Sequence, residues 1–150
     1  MSVTAAQGFR ASGIAGGLKS SGKPDFALVV NGGPSAAAVG VYTSSRCKAL
    51  PVLWSQEAMR SGQAKAVFLN SGGANCFTGP EGFAITHHTA ELLAELIGAA
   101  PLDIQVCSTG LIGLSFVSET VLAGVRSAVS ALDENGGANA AAAIMTTDTV

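Results

Sequence analysis

Apolar and polar positions along the chain follow two periods, which predict a mixture of strands and helices. Short runs rich in β-branched and aromatic residues end near glycine, asparagine or serine turn signals. The predicted strands cover residues 26–30 (FALVV), 39–43 (VGVYT), 66–69 (AVFL) and 104–107 (IQVC). Because the turn signal NGGP separates the first two, we expect these two strands to pair as a hairpin.

Longer segments place apolar residues three and four positions apart, which is the spacing of one helical face. The predicted helices cover residues 51–60, 80–97, 118–132 and 138–143. Gly98 is typical of a residue that ends a helix, and Ser118 is typical of an N-cap. Strands mixed with helices predict a layered α/β fold of the α+β type.

Length and composition together predict one domain that is part of a larger protein. A chain of 150 residues is long enough to bury a core of its own. Charged residues form only 12% of it and apolar residues 48%, so the charged share is about half that of an average soluble protein. We therefore expect another polypeptide to cover part of the surface. The β-prone end, TTDTV, predicts that the chain of residues 1–150 is interrupted before its fold is complete.

The charge pattern excludes several classes of partner. Eight basic and ten acidic residues give a net charge of -2 and are scattered without a run of one sign, which argues against nucleic acid and against a polybasic membrane patch. No secretory leader and no apolar window of about 18 residues is present. The three cysteines lack CxxC spacing, so we expect reduced thiols. These features predict a cytoplasmic protein.

Two groups of side chains are candidates for nucleophilic or metal chemistry. Cys107 could react as a thiolate with His87 or His88 as its base, but a free cysteine at the apolar end of a strand more often packs as a small hydrophobe. His88 and Glu91 lie one helical turn apart and could begin a metal site. Because the HExxH pattern is absent, a solvated helix face is the favoured interpretation and no metal is predicted.

Residues 70–82 (NSGGANCFTGPEG) could form an anion cradle, since glycines let successive backbone N–H groups converge. The segment lacks the GK[ST] of a phosphate loop and the GxGxxG of a dinucleotide site. Asn70 and Asn75 supply amides that can pin a tight loop, so a structural turn is the favoured interpretation.

Residues 106–113 (VCSTGLIG) predict a strand that ends in a loop at STG. There Thr109 and Gly110 could direct a hydroxyl and a backbone N–H at one position, which is what a developing oxyanion needs in acyl transfer. An ordinary turn between a strand and a loop is the alternative.

Four motifs, taken in order and spacing, resemble the ornithine acetyltransferase family, the bifunctional glutamate N-acetyltransferases of arginine biosynthesis. The motifs are GFRASGIAGGLK (8–19), LNSGGANCFTGPEGF (69–83), VCSTGLIG (106–113) and AAAIMTTDT (141–149). The resemblance implies an ornithine-acetyltransferase-like fold, which is related to N-terminal-nucleophile enzymes but distinct in topology. It also implies a precursor that cuts itself before a threonine into an α chain and a β chain, assembled as an α2β2 heterotetramer.

The same resemblance implies the reaction and the roles of three residues. The new N-terminal threonine of the β chain would accept acetyl from N-acetylornithine and pass it to glutamate, without a cofactor; acetyl-CoA is a further donor in bifunctional members. Thr109 and Gly110 match the oxyanion-hole pair, and Thr146 matches a substrate-contacting position. No residue of this chain matches the nucleophile, so we expect the chain alone to be inactive.

Two other functions stay open at the level of the sequence. A related N-terminal-nucleophile aminopeptidase or amidohydrolase would use the same oxyanion site with water as acceptor. A non-catalytic scaffold module would use its glycine loops only to build turns. Exchange of Thr109 for alanine separates them, because a scaffold would lose nothing beyond stability.

Overall fold

The computed structural model describes residues 2–146 and confirms the layered α/β prediction. The elements follow in the order β1 (Phe9–Ile14), β2 (Phe26–Asn31), α1 (Leu50–Ala58), β3 (Ala66–Gly73), α2 (Gly79–Ile97), β4 (Ile104–Leu111), α3 (Ser118–Ser130) and α4 (Gly137–Ile144). Short 3-10 turns occur at Val3–Ala5, Met59–Ser61 and Pro101–Asp103. Apart from Thr146, the predicted β-prone end at 146–150 lies outside the described residues.

The four strands form one sheet in the order β1-β2-β3-β4. β2 runs antiparallel to both of its neighbours, β1 and β3, whereas β3 and β4 are parallel. Within residues 2–146, β4 therefore has a sheet partner on one side only. The helix α2 provides the crossover that a parallel pair requires, and Gly98 ends it in the left-handed conformation with φ 69°.

The predicted hairpin between residues 26–30 and 39–43 is wrong. β2 already pairs with β1 on one edge and with β3 on the other, so residues 39–43 have no free strand edge to join. Val39 is 93% exposed and Val41 is fully exposed. β1 was missed because its sequence, FRASGI, carries polar and glycine positions that favour strands weakly.

Helices cover the two faces of the sheet unequally. α1, α2 and α3 pack on one face, where the main core includes Phe26, Leu28, Phe68 and Leu93. α4 packs on the other face through a small cluster of alanines. β2 is buried on both faces, which explains its uninterrupted apolar sequence.

α4 leaves part of the second face uncovered. An apolar cavity of about 1140 Å³ lies there, and the strand residues Phe9, Val29, Val67 and Leu69 line it together with α4. We call these four residues the open sheet face. Among residues 2–146, no helix has both the length and the apolarity that a membrane span needs.

Candidate active site

The site begins with a pair of glycines that lie opposite each other in β3 and β4. Gly72 is in register with Gly110, and Gly110 has φ 134°, a conformation that L side chains rarely adopt. A Cβ on Gly110 would lie 2.7 Å from the Gly72 carbonyl carbon and 2.7 Å from the Gly73 nitrogen. Because both residues of the Gly72–Gly110 pair lack a side chain, β3 and β4 stay paired as far as Gly73 and Leu111. The predicted loop at STG is therefore wrong: these residues belong to the strand.

The backbone N–H of Gly110 is directed away from β3. The Ala74 N–H donates to the Leu111 carbonyl, so the backbone groups of Leu111 face β3, and those of Gly110, one residue earlier, face the other way. Val106 has the same orientation as Gly110, since its N–H and C=O both bond the Ser55 hydroxyl of α1. The Gly110 N–H thus lies at the free edge of β4.

The Thr109 side chain lies beside this N–H and is exposed. Within residues 2–146 its hydroxyl makes no hydrogen bond, so the proton is available to an added acceptor. Its partner in register is Ser71 of β3. The Thr109 hydroxyl and the adjacent Gly110 N–H, for which residues 2–146 provide no acceptor, are suitable donors for an oxyanion.

Ser71 brings the segment after α4 to the same place. Its hydroxyl is fully buried and donates to the Ala143 carbonyl at 2.5 Å. Ala143 lies in the last turn of α4, and Thr146 follows three residues later with an exposed side chain. This bond fixes the end of α4 against Ser71, the register partner of Thr109. It thereby also brings Thr146 close to Thr109.

The connection between β1 and β2, residues 15–24, forms the wall opposite the strands; we call it the β1–β2 loop. The Asp25 carboxylate, which is fully buried, accepts N–H bonds from Gly16 at 2.6 Å, Leu18 at 2.6 Å and Lys19 at 2.9 Å. A Cβ on Gly16 would lie 2.3 Å from the ring of Phe26, so only glycine lets the loop lie this close. Asp25 thereby gives the loop one fixed conformation.

The Lys19 side chain ties the β1–β2 loop to the segment after α4. Its ammonium donates to the Pro24 carbonyl at 2.9 Å and to the Met145 carbonyl at 2.6 Å. Met145 immediately precedes Thr146, so Lys19 and Ser71 hold the substrate-contact candidate from two sides.

These segments surround an open cavity of about 660 Å³, which we call the acyl cavity. The residues that line it are Leu18, Lys19, Ser20, Ser21, Gly72, Thr109, Gly110, Leu111, Leu114 and Thr146. The three residues singled out from the sequence, Thr109, Gly110 and Thr146, therefore meet in one place although Thr146 is far from the other two along the chain. The larger cavity on the open sheet face contains none of them.

Cys107 does not have the environment of an activated nucleophile. Burial raises the pKa of its thiol above the ordinary value, which keeps the sulfur protonated and unreactive near neutral pH. Part of the Cys107 surface nevertheless remains exposed, so the expectation that this cysteine simply packs as a small hydrophobe is wrong. Its neighbour Tyr42 also has a raised pKa, mainly from burial and secondly from the nearby Cys107.

The histidines form no metal site among the described residues. The contact that forms on α2 is between His87 Nδ1 and Glu91 Oε1 at 3.7 Å, rather than between His88 and Glu91. His87 also packs against the rings of Trp54 and Phe83. No group of three or more potential ligands from His, Cys, Asp and Glu occurs within residues 2–146.

Amide side chains hold the glycine-rich segment 70–82, as predicted, but the turn itself is shorter than predicted. Residues 70–73 continue β3 and residues 79–82 begin α2. Asn70 accepts a bond from the Ser108 hydroxyl and donates to the Gly73 carbonyl. Asn75 has φ 48° and donates to the Gly82 carbonyl and the Thr86 hydroxyl, both at 2.9 Å. The amides thus fix the turn that leads from β3 into α2.

Lys19, Asp25 and Ser71 are the site residues that sequence reasoning missed. Asp25 carried a usable signal, because an acidic residue between a glycine-rich loop and a wholly apolar strand has to satisfy its charge within the fold. Ser71 carried none, since its partner Ala143 is 72 positions away.

Comparison with known proteins gives consistent matches over almost the whole chain. The model of the ArgJ family matches residues 10–150. The arginine biosynthesis bifunctional protein ArgJ of Streptomyces coelicolor is 57% identical over 150 residues, and that of Bifidobacterium longum is 56% identical over 152. The alignments cover 100% and 99% of this chain but 39% of each relative. The chain therefore spans about two fifths of the length of these relatives.

Two solved structures share the fold. The ornithine acetyltransferase of Mycobacterium tuberculosis, crystallised with ornithine, superposes with a TM-score of 0.97 at 50% identity, covering 99% of this chain and 81% of that one. The arginine biosynthesis bifunctional protein argJ of Bacillus halodurans gives 0.90 at 32% identity, covering 100% and 78%. The predicted ornithine-acetyltransferase-like fold is confirmed.

Proposed function

Starting from the fact that this chain belongs to the ArgJ family, we propose that it is the N-terminal, α-chain part of an enzyme that transfers acetyl from N-acetylornithine to glutamate. The names of the matched relatives, an arginine biosynthesis bifunctional protein and an ornithine acetyltransferase, support this proposal. The observation that carries the finer proposal is the acyl cavity, where Thr109, Gly110 and Thr146 converge.

In the proposed reaction, a threonine of a partner chain attacks the acetyl carbonyl of N-acetylornithine. The carbonyl oxygen becomes negative, and the Thr109 hydroxyl and the Gly110 N–H donate to it. Both donors lie side by side, and the Thr109 hydroxyl has no competing partner within residues 2–146. Collapse of the intermediate breaks the C–N bond, the proton lost by the threonine hydroxyl passes to the leaving nitrogen, and ornithine departs, which leaves an acetyl ester on the threonine. The amine of glutamate then attacks this ester through the same oxyanion site. The ester C–O bond breaks, a proton of the amine returns to the threonine oxygen, and N-acetylglutamate is released. Neither a cofactor nor a metal takes part in these steps.

A second chain, the β chain, is proposed to supply that nucleophile. The matched stretch is 39% of the Streptomyces relative but 81% of the solved Mycobacterium chain, so the solved chain is about half as long as that relative. This length supports cleavage of a precursor into two chains. We extend the proposal to self-cleavage before the nucleophilic threonine, an α2β2 assembly and a cytoplasmic location, and to acetyl-CoA as an alternative acetyl donor.

Apolar surface supports a covering chain. The open sheet face is unoccupied by the described residues. Four further apolar side chains are each at least 67% exposed: Leu111, which lines the acyl cavity, and Phe77, Ile112 and Val117. Such apolar area is typical of the surface of an obligate assembly, and residues 1–150 alone are accordingly proposed to be inactive.

The test uses the complete protein, with N-acetylornithine as donor and glutamate as acceptor. Thr109→Ala is expected to lower kcat/KM by about a hundredfold to a thousandfold, which is the usual effect of losing one oxyanion donor. Thr109→Ser keeps the hydroxyl and should retain most of the rate. Thr120→Ala, at a half-buried threonine of α3 outside the cavity, is the matched control.

Full activity of Thr109→Ala would overturn the oxyanion assignment. Release of acetate at a rate independent of glutamate would instead favour a hydrolase. Replacing N-acetylornithine by acetyl-CoA in the same assay tests the second donor.

A further inference from the structure

The acyl cavity contains one ionisable side chain, that of Lys19, among the residues that line it. The remaining lining residues are serines, threonines, glycines and leucines. An anionic group bound in this cavity would therefore meet Lys19 as its only oppositely charged partner among residues 2–146.

The Lys19 ammonium is held in place, and no carboxylate of residues 2–146 pairs with it. An ammonium has three N–H donors, and the carbonyls of Pro24 and Met145 accept bonds from it. These acceptors leave a donor for a ligand. Within the described residues, no carboxylate lies within 4.0 Å of the Lys19 nitrogen, so its positive charge is available.

The loop that carries Lys19 is preorganised. The buried Asp25 carboxylate fixes the Lys19 backbone through its N–H, and the Met145 carbonyl fixes the end of the side chain. A lysine held at both ends has already lost most of its rotamer freedom, so that pairing with an anion costs little further ordering.

We propose that Lys19 binds the α-carboxylate of the amino-acid substrates. This inference rests on the proposed function. The only amine of glutamate is its α-amine, next to the α-carboxylate, and the only carboxylate of N-acetylornithine is its α-carboxylate. A cation fixed beside Thr109 and Gly110 would therefore bind both the acetyl donor, N-acetylornithine, and the acetyl acceptor, glutamate. In each case the reacting nitrogen would lie near Thr109 and the carboxylate near Lys19.

The experiment compares N-acetylornithine with its methyl ester, which lacks the negative charge, as donors for the complete protein. The wild-type protein should prefer the acid by about tenfold to a hundredfold in kcat/KM, the range of one hydrogen bond to a charged group. Lys19→Met should lose this preference by slowing reaction of the acid while leaving the ester nearly unchanged. Lys19→Arg should keep it.

Lys23→Met is the matched control, since Lys23 is an exposed lysine of the same loop that does not line the cavity. It should behave as the wild type. If Lys19→Met lowers kcat/KM equally for the acid and the ester, the inference is wrong. Lys19 would then act by holding Met145 in place or by stabilising the oxyanion, and not by binding the carboxylate.

A second result decides the matter without any variant that might fail to fold. If the wild-type protein uses acid and ester equally well, Lys19 binds no carboxylate and the inference is wrong while acetyl transfer stands. If the wild-type protein transfers no acetyl from N-acetylornithine, the proposed function fails and this inference fails with it.

Discussion

At the scale of single residues, the site depends on groups that do no chemistry themselves. Asp25 accepts three backbone N–H bonds and is fully buried. Bonds to a charged acceptor are about twice as strong as those between neutral groups. The conformation of the β1–β2 loop, and hence the position of Lys19, therefore depends on this one carboxylate.

Asp25→Asn is expected to destabilise the complete protein by about 3 kcal/mol. An asparagine has an NH₂ group in place of one carboxylate oxygen, and this group cannot accept a hydrogen bond. One or two of the backbone N–H groups of Gly16, Leu18 and Lys19 would therefore lose their acceptor. Urea unfolding measures the loss. Asp103→Asn is the control, because that carboxylate accepts a single exposed bond from the Ala100 N–H, and it should cost less than about 1 kcal/mol. Equal losses at both positions would contradict the role given to Asp25.

Gly110→Ala tests the close approach of β3 and β4. The added methyl would meet the backbone of Gly72 and Gly73 at 2.7 Å in an unfavourable φ region. Backbone cannot move aside cheaply, so we expect a loss of about 3 kcal/mol or more, together with loss of activity. Gly62→Ala separates the two causes, since Gly62 also has positive φ but open space around it. It should cost only about 1 kcal/mol.

Residue types in the sequence single out Thr109 and Gly110, which do line one cavity with Thr146, whereas the predicted loop around them is wrong. Thr109 and Gly110 were identified because a hydroxyl beside a glycine N-H suits acyl transfer. That they lie inside a strand was not predictable from local pattern, since it depends on Gly72, 38 positions away in register. The role of Gly72 follows only from the pairing.

At the scale of elements, α1 secures the free edge of β4 upstream of the site. The Ser55 hydroxyl donates to the Val106 carbonyl and accepts from the Val106 N–H, both at 2.9 Å, and Trp54 Nε1 donates to the Ile104 carbonyl at 3.0 Å. Side chains of the helix thus replace the neighbouring strand that this edge lacks. α1 thereby holds the part of β4 that precedes Thr109.

Ser55→Ala should cost about 2 to 4 kcal/mol, because it leaves a buried N–H and a buried carbonyl of Val106 without partners. Thermal or urea unfolding of the complete protein gives the value. Ser130→Ala, at an exposed serine that bonds only its own helix, should change stability by less than about 0.5 kcal/mol. A small loss for Ser55→Ala would mean that water replaces the hydroxyl at this edge.

Helices were easier to predict than strand partners for a physical reason. A helical face is encoded within one segment, so α2 and its end at Gly98 followed from local spacing. Strand pairing depends on segments distant in sequence. The run at 39–43 has strand-like residues, yet β1, with a weaker pattern, holds the place beside β2.

At the scale of the whole molecule, the low charge content predicts a surface that another chain covers, and the open sheet face is the apolar surface to which we assign this prediction. The four strand residues of this face lie beside α4 and line the apolar cavity of about 1140 Å³. Composition could indicate that such a surface exists. It could not locate it, because the location depends on which face α4 leaves uncovered.

Val67→Lys in the complete protein tests whether this face is covered. If another segment packs on Val67, the substitution places a charge in an apolar interface, and we expect a loss of at least about 2 kcal/mol, visible as a lower urea midpoint. Leu102→Lys is the control, since Leu102 is 51% exposed and lies away from the open sheet face; it should be nearly neutral. Should Val67→Lys prove as harmless as Leu102→Lys, the sheet face is in water, and the proposal of a covering chain loses its main structural support. A loss confined to Val67→Lys would place the covering chain on the face that carries Ser71, and so next to Thr109 and Thr146, where a nucleophile from that chain is required.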